Sequence, residues 1–530
     1  MGICRHLVFI VPEDALILEA IANFLLPHVL HEAPTKRAYF SRNLRQPRGP
    51  TDLDESFSYE WWSLWPQFQS RIMEFSEYCS YTVVTDVASY YDSIDFTRLR
   101  NFLSGFEQLD ETSLDFIFYI FEVFVWRPDY LPHPGRGLPQ INIDAPRLVA
   151  HAFLFDVDRL LEERTSGHFV RWLDDIDFGC NTLSEAKQLL GELDNLLLSR
   201  GLHLNPSKTR ILQAAEAAKH FCVSENRYLT ILQKRIRRER KQNTVSSISK
   251  KFLRRHFYKF WKNPRQGQWQ KVLKRYFSIA SEGQDTFLEP LVPDLLQEFP
   301  GILPAILKYY RTLGWSRKRE DNLIAFVRSC ADDAGVAGVA DLLVSWPLNY
   351  AVSYLKRMRS LIETLPLETR SDFLFSLRLA VKFLSQNQLE QFLRGSIEIW
   401  RSDPWLGRQV AGSWPRLNAA AREMLSGVVR SYGLFSAYEV IENFQQLSFD
   451  TKKNRNKVKP FLLAPKNQGI FTLPKLLISL AAIETTSSAI QRQELVHDLL
   501  ERHSDSIYRY YIIKASLAAQ QAATPDETQS

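Results

Sequence analysis

Near residue 230 the apolar residues of this sequence change their period, and that change constrains the fold more than any other feature. Before it, short β-rich runs alternate with helical stripes; after it, a period near 3.6 residues prevails. Tyr81–Thr85 (YTVVT) is apolar and β-branched, the pattern of a buried strand with Asp86 at its end. Phe169–Leu173 and Ile176–Cys180 are strand-like runs around Asp174 and Asp175, which predicts a β-hairpin with two acids at its turn. Ala186, Leu189, Leu190, Leu193 and Leu197 then form one helical stripe, with Gly201 placed to end it. The first part is therefore expected to be an α+β domain.

Beyond residue 290 the pattern predicts helices throughout. Phe373, Leu377, Ala380, Val381 and Leu384 share one face, and Leu389, Phe392, Leu393, Ile397 and Trp400 share the next, an antiparallel helix pair broken near residues 385–388. Further helices are expected around 303–313, 321–331, 416–430, 435–446, 474–483 and 489–513. They carry no repeated signature, which favours an irregular helical solenoid over a compact bundle. The run Lys452–Lys459 (KKNRNKVK) reads as a solvated loop, and the tail from Ala518 onward as disordered.

Composition narrows the function classes. At 530 residues, 45% hydrophobic and 24% charged, the chain is long enough for several domains and is neither collagenous nor of low complexity. Five scattered cysteines, Cys4, Cys79, Cys180, Cys222 and Cys330, contain no C-x-x-C pair, so neither a structural zinc nor a secreted disulfide framework is expected. The apolar N-terminal stretch is interrupted by Pro12, Glu13, Asp14 and Glu19, which predicts an amphipathic helix packed on the domain, no membrane anchor and a cytoplasmic location.

The net charge of +6 conceals a segregation. Residues 234–275 hold 16 Lys or Arg and one acid, Glu239, leaving 50 basic and 59 acidic residues elsewhere. Aromatics interleave with these bases: Phe252, Phe257, Tyr258, Phe260, Trp261, Trp269, Tyr276 and Phe277. Cations attract phosphates irrespective of base sequence, and ring faces stack on bases or pack on the core. Leu253, Phe257 and Phe260, at i, i+4 and i+7, put part of the rings on a core face. Lys250, Lys251, Arg254, Arg255 and Lys259 are the expected nucleic-acid contacts.

The chemistry is expected from three carboxylates. Asp86 ends a strand, and Asp174 with Asp175 tips a hairpin; acids converging from adjacent strand ends suit hard divalent ions and hence nucleotidyl transfer. Their context is more specific than their type. TDVASYYDSI (85–94), GLPQINIDAPRLVAHAFLFDVD (137–158), FVRWLDDIDFG (169–179) and GLHLNPSKT (201–209) follow one another in order. This succession resembles the four palm motifs of reverse transcriptases over about residues 30–230. The wording of the second and third blocks is most similar to the bacterial abortive-infection and unknown-group reverse transcriptases of phage defence, some of which carry a helical-repeat C-terminal region.

The resemblance implies an α+β right-hand polymerase of fingers and palm over residues 1–230, a basic helical thumb over 231–290, an all-α irregular helical-repeat domain over 291–517 and a disordered tail over 518–530. It implies an RNA-directed DNA polymerase that takes dNTP substrates and two Mg²⁺ ions, the metal held by Asp86, Asp174 and Asp175, with the Val87 carbonyl beside them. Tyr91 matches the ring that excludes a ribose 2′-hydroxyl, Gln140 the glutamine near the nascent base pair, and Lys208 a catalytic lysine facing the leaving pyrophosphate. Arg37 and Arg42 stand where fingers hold the triphosphate. The implied partners are an RNA template or non-coding RNA and a DNA product, with self-association compatible and no membrane. Three positions depart from the motifs: Trp172 replaces Tyr, and Ile141 and Ala145 replace Gly and Ser, which leaves templated, untemplated and protein-primed synthesis open. The alternative is a catalytically idle nucleic-acid-binding scaffold or phage sensor.

Overall fold

The computed structural model describes residues 8, 10–42, 57–58, 61–106, 109–125, 135–141, 143–242, 245–330, 333–346, 352–463 and 472–521. The chain divides into two compact units. One holds Arg5–Thr230 with Asn263–Val272; the other is built from Ile231–Lys262 and Leu273–Ser530.

The first unit is a mixed sheet covered by helices on both faces. Its strands are β1 (Ala38–Ser41), β2 (Phe57–Ser58), β3 (Tyr81–Asp86), β4 (Phe169–Trp172), β5 (Asp175–Cys180) and β6 (Arg210–Gln213), in the order β2-β1-β4-β5-β3-β6. β1 runs parallel to β2 and β4, while β3 is antiparallel to both β5 and β6 and β4 is antiparallel to β5. Successive side chains point to opposite faces, so each strand feeds two cores. Val83 and Phe169 join the larger core, with helices Pro12–Glu32, Asp144–Phe153 and Leu183–Ser199. Val84 and Val170 turn the other way, toward Tyr39, Phe68, Ile72 and Phe75.

Local chemistry ends these elements where the pattern places their ends. Helix Leu183–Ser199 starts at Thr182, whose side chain accepts from the Glu185 amide while Glu185 reaches back to the Thr182 amide. It stops at Gly201, whose φ of +73° suits glycine, with the Gly201 and Leu202 amides donating to the Leu198 and Leu197 carbonyls. The hairpin differs from expectation by one residue at each strand end: Leu173 leaves β4 for the turn and Asp175 enters β5, the two turn residues being Leu173 and Asp174. Strands β1, β2 and β6, of two to four residues, are too short to produce a readable period.

Helix Pro12–Glu32 is continuous rather than interrupted, because Pro12, Glu13 and Asp14 occupy its first turn, where proline and acids are favourable. By length and composition alone it is apolar enough to cross a membrane. Yet Leu18, Ile21, Ala22, Leu25, Leu26 and Val29 are buried in the larger core. Leu16, Ile17 and Phe24 remain exposed, so its two faces are less distinct than an amphipathic helix requires.

Every described element of the second unit is helical. Within it the basic helix Ser247–Trp261 buries Leu253, Phe257 and Phe260, and Phe257 meets Tyr276 and Phe287 edge-on. Four expectations are corrected here. Lys452–Lys459 belongs to a helix, Lys452–Leu462, because Thr451 caps its N-terminus, lysine and arginine are good helix formers, and Leu462 gives it a buried anchor. The span 489–513 is two helices, Ala489–Arg502 and Ser506–Gln521, divided where buried Asp505 accepts from the Ile507 and Tyr508 amides. The expected stripe through Trp400 breaks between helices Gln386–Gly395 and Ile397–Trp400. The last helix also continues to Gln521, past the expected start of a disordered tail, whose remainder (522–530) lies outside the described residues.

Candidate active site

Strand register brings the acids together. Asp86, last residue of β3, stands opposite Asp175, first residue of β5, and Asp174 precedes it in the turn. The Val87 amide donates to the Asp174 carbonyl at 3.3 Å, so the backbone of the first block is tied to the third. Leu173 holds φ at +55°, a left-handed value costing a leucine on the order of 1 kcal/mol or more. The backbone before Asp174 is therefore held in a conformation that leucine disfavours.

The fourth block reaches the same point. The Asn205 amide donates to the Asp86 carbonyl at 2.8 Å, Val87 bridges Leu204, and the loop that follows delivers Lys208, whose ammonium pairs with Asp86 Oδ2. That hydrogen bond to Asp86 raises the Lys208 pKa above its ordinary value, so the amine is a cation at neutral pH. Asp86 is only 2% exposed, and its other oxygen, Oδ1, is buried with no hydrogen-bond partner. Burial, reinforced by the charges of Asp175 and Asp86, raises the pKa of Asp174.

The first and second blocks interlock beside the acids. The Leu138 amide donates to the Tyr91 carbonyl at 2.9 Å, and Gln140 Nε2 donates to Asp92 Oδ1 at 2.8 Å. Tyr90 and Tyr91 have different surroundings. Tyr90 is buried, its hydroxyl donating to the Ala150 carbonyl, whereas Tyr91 is half-buried with its ring edge-on to Tyr90. The departures from the motifs have packing reasons: Trp172 stacks on Tyr39 and meets Trp65 and Phe68 edge-on, Ile141 packs on the larger core, and Ala145 is fully buried in helix Asp144–Phe153.

Two residues that sequence reasoning passed over support the hairpin. Arg171 on β4 is fully buried; it pairs with equally buried Asp158 and donates to the carbonyl of Leu173 at 3.0 Å, the residue before Asp174. It also donates to the His151 carbonyl, and burial with the nearby Arg171 charge keeps the His151 imidazole neutral. The signal was an arginine inside an apolar strand run, with acids in the block before it. Arg37 and Arg42, by contrast, are not brought to the acids as free cations. Arg37 is bound to Glu162 at 2.7 Å, and Arg42, nearly buried, is bound to Glu19, Asn23 and Asp144.

In the second unit, Lys250, Lys251, Arg254, Arg255 and Lys259 fall within one half of the circumference of helix Ser247–Trp261 at 100° per residue. Lys251, Arg255 and Lys259 are exposed, Lys250 is half-buried, and exposed Arg254 is committed to a two-bond pair with Asp285. Exposed Tyr258 lies among these cations, while Phe257, Phe260, Trp269, Tyr276 and Phe277 are buried, so most of the interleaved rings are core.

Among the described residues no three acids, histidines or cysteines stand as a ready metal cage. The donor set is nonetheless of the right chemistry: one orphaned carboxylate oxygen, an adjacent carboxyl destabilised by like charge, and an ammonium already seated on Asp86 as a cation would be. Compared with known proteins, the sequence matches no family model and no curated protein.

Proposed function

We propose that the first unit is a fingers-and-palm nucleotidyltransferase of reverse-transcriptase type, a polymerase transferring deoxynucleotides, with helix Ser247–Trp261 acting as its thumb. The observation that carries this reading is that three sequence blocks up to 122 residues apart meet at one sheet end, Asp86 facing Asp175 beside Asp174 with Lys208 paired to Asp86. The four ordered blocks add the resemblance.

Asp86, Asp174 and Asp175 would hold the Mg²⁺ ions, which when bound supply activation of a primer 3′-hydroxyl and charge neutralisation on the triphosphate. The chain's own residues do the rest. Lys208, kept protonated by Asp86, would move from that carboxylate to the departing pyrophosphate, stabilising its charge or donating a proton. Tyr91, fixed by the Tyr90 ring and by the backbone bond to Leu138, is suited to fill the space a 2′-hydroxyl needs. Gln140, held by Asp92, would stand near the nascent pair. Arg254 is assigned to the second unit's own packing rather than to nucleic acid.

The pairing of Lys208 with Asp86 also favours a second reading, an idle nucleic-acid-binding scaffold in which the ammonium replaces the metal. Incorporation of labelled dNTPs with and without Mg²⁺ separates the two. The first expects metal-dependent synthesis that falls by orders of magnitude in Asp174→Ala/Asp175→Ala; the second expects none in either protein. A role in antiphage defence rests on the resemblance, and the plating efficiency of phage on cells making wild-type or Asp86→Ala protein tests it.

A further inference from the structure

Away from the carboxylates, one segment concentrates positive charge. Residues 291–517 carry 29 Lys and Arg against 22 Asp and Glu, and the whole excess of seven lies within 451–475, which has no acid. With 234–275 also set aside, the remainder holds 43 basic and 59 acidic residues, so 451–475 is a second positive segment on an otherwise acidic chain.

Its structure makes that charge a surface. Helix Lys452–Leu462 buries Leu462 and pairs Lys459 with Asp498 at 3.0 Å, while Lys452, Lys453 and Lys457 are exposed. At 100° per residue these three share one half of the helix with Asn456 and Phe461. Phe461 is 52% exposed, and Lys475 Nζ lies 4.8 Å from its ring centre. Among the described residues no carboxylate pairs with Lys452, Lys453 or Lys457. Two of them stand in the first turn, where the helix dipole disfavours cations. The two first-turn charges thus work against their own helix, and among the described residues no ion pair offsets the cost.

We propose that the exposed face of helix Lys452–Leu462 binds single-stranded nucleic acid, as a contact additional to helix Ser247–Trp261. Lysine is depleted from protein–protein interfaces, whereas nucleic-acid interfaces are strongly positive. An interfacial membrane helix needs an apolar stripe, and here the only exposed apolar side chains are Phe461 and the small ring of Pro460. An unstacked base offers that ring a face to stack on, which a duplex does not. The inference does not depend on catalysis: absent nucleotide incorporation would leave it standing, so the two readings fail separately.

The test is binding of a fluorescent oligothymidylate to the full chain across a salt series. Lys452→Gln/Lys453→Gln/Lys457→Gln should make the plot of log affinity against log salt shallower by about 2, at roughly 0.7 per phosphate contact on a single strand, and weaken binding near 0.1 M salt on the order of 10- to 100-fold. The arginine triple at the same positions should keep wild-type affinity, and Lys308→Gln/Lys318→Gln/Lys356→Gln, three exposed lysines elsewhere in the same unit, should keep the slope. An unchanged slope in the first variant overturns the proposal, as does an equal loss in the control. So does an effect confined to phosphatidylserine-containing phosphatidylcholine vesicles, which would assign the face to lipid.

Discussion

Tyr90 and Tyr91 differ by one position and by everything that matters to sugar selection. Tyr90 is a core residue tied to the Ala150 carbonyl, and Tyr91 is the half-buried ring above it. If Tyr91 excludes a 2′-hydroxyl by contact, the discrimination is an overpacking penalty on the order of 1–3 kcal/mol, or about 5- to 150-fold. Tyr91→Ala should lower the ratio of kcat/KM for dNTP over rNTP by that factor; an unchanged ratio refutes the gate. Arg171 poses a different residue-scale question, because its pair with Asp158 and its bond to the Leu173 carbonyl can be separated. Arg171→Met alone leaves Asp158 buried and unpaired and should destabilise the first unit by about 3–5 kcal/mol. Arg171→Met/Asp158→Leu should recover most of that stability in urea titration, since apolar pairs replace buried ion pairs well. Nucleotide incorporation should stay reduced, by up to about a hundredfold, because the turn that carries Asp174 has lost its donor. Full activity in the double variant would mean that Arg171 serves only the fold.

Among elements, the basic segment owes its shape to its single acid. Glu239, near the end of helix Val223–Lys241, accepts from the Ser246 amide at 3.0 Å and from the hydroxyls of Ser246 and Ser249, and pairs with Arg235. It thereby joins one helix to the N-cap of the next, Ser246 being the cap of Ser247–Trp261. Against the upward pull of partial burial, these donors hold its carboxyl down at about 2, below the ordinary 4.5. A depressed carboxyl contributes stability above its unfolded pKa and loses it as pH falls through the folded one. Glu239→Gln should therefore cost about 1–3 kcal/mol at pH 7, a deficit that shrinks below about pH 4.5 and vanishes near pH 2. Chemical denaturation at several pH values checks this; a deficit independent of pH would indicate a packing effect. Glu239 was legible as an anomaly of composition, but its partners were not, because Ser246 and Ser249 carry no charge to mark them.

Across the whole molecule, the long helical part depends on buried polar ties. Lys382 is fully buried, donating to the Val344 and Trp346 carbonyls and to Asp505, whose other oxygen caps helix Ser506–Gln521. One ammonium thus joins three stretches of chain. Lys382→Met should lower stability by about 3–5 kcal/mol, seen as a lower urea midpoint with an unchanged slope for the transition of that unit. A variant as stable as wild type would mean that the tie is dispensable.

Local patterning and residue order carry one part of this fold. The change of period near residue 230, the strand ending at Asp86, the presence of a hairpin at Asp174, though not its exact turn residues, and the stop at Gly201 depend on neighbours a few residues away, where side-chain period and turn chemistry act directly. Tertiary structure alone decided the rest. Lys208 meets Asp86 because β3 lies between β5 and β6, Arg37 and Arg42 are spent on acids 125 and 102 residues downstream, and Asp505 breaks a helical stripe because Lys382 requires a buried acid there. The same holds for KKNRNKVK, whose helix depends on the Thr451 cap and the Asp498 pair as well as on its own residues. A buried charge must find an opposite charge wherever the fold brings one, and no periodicity along the chain records which one that is.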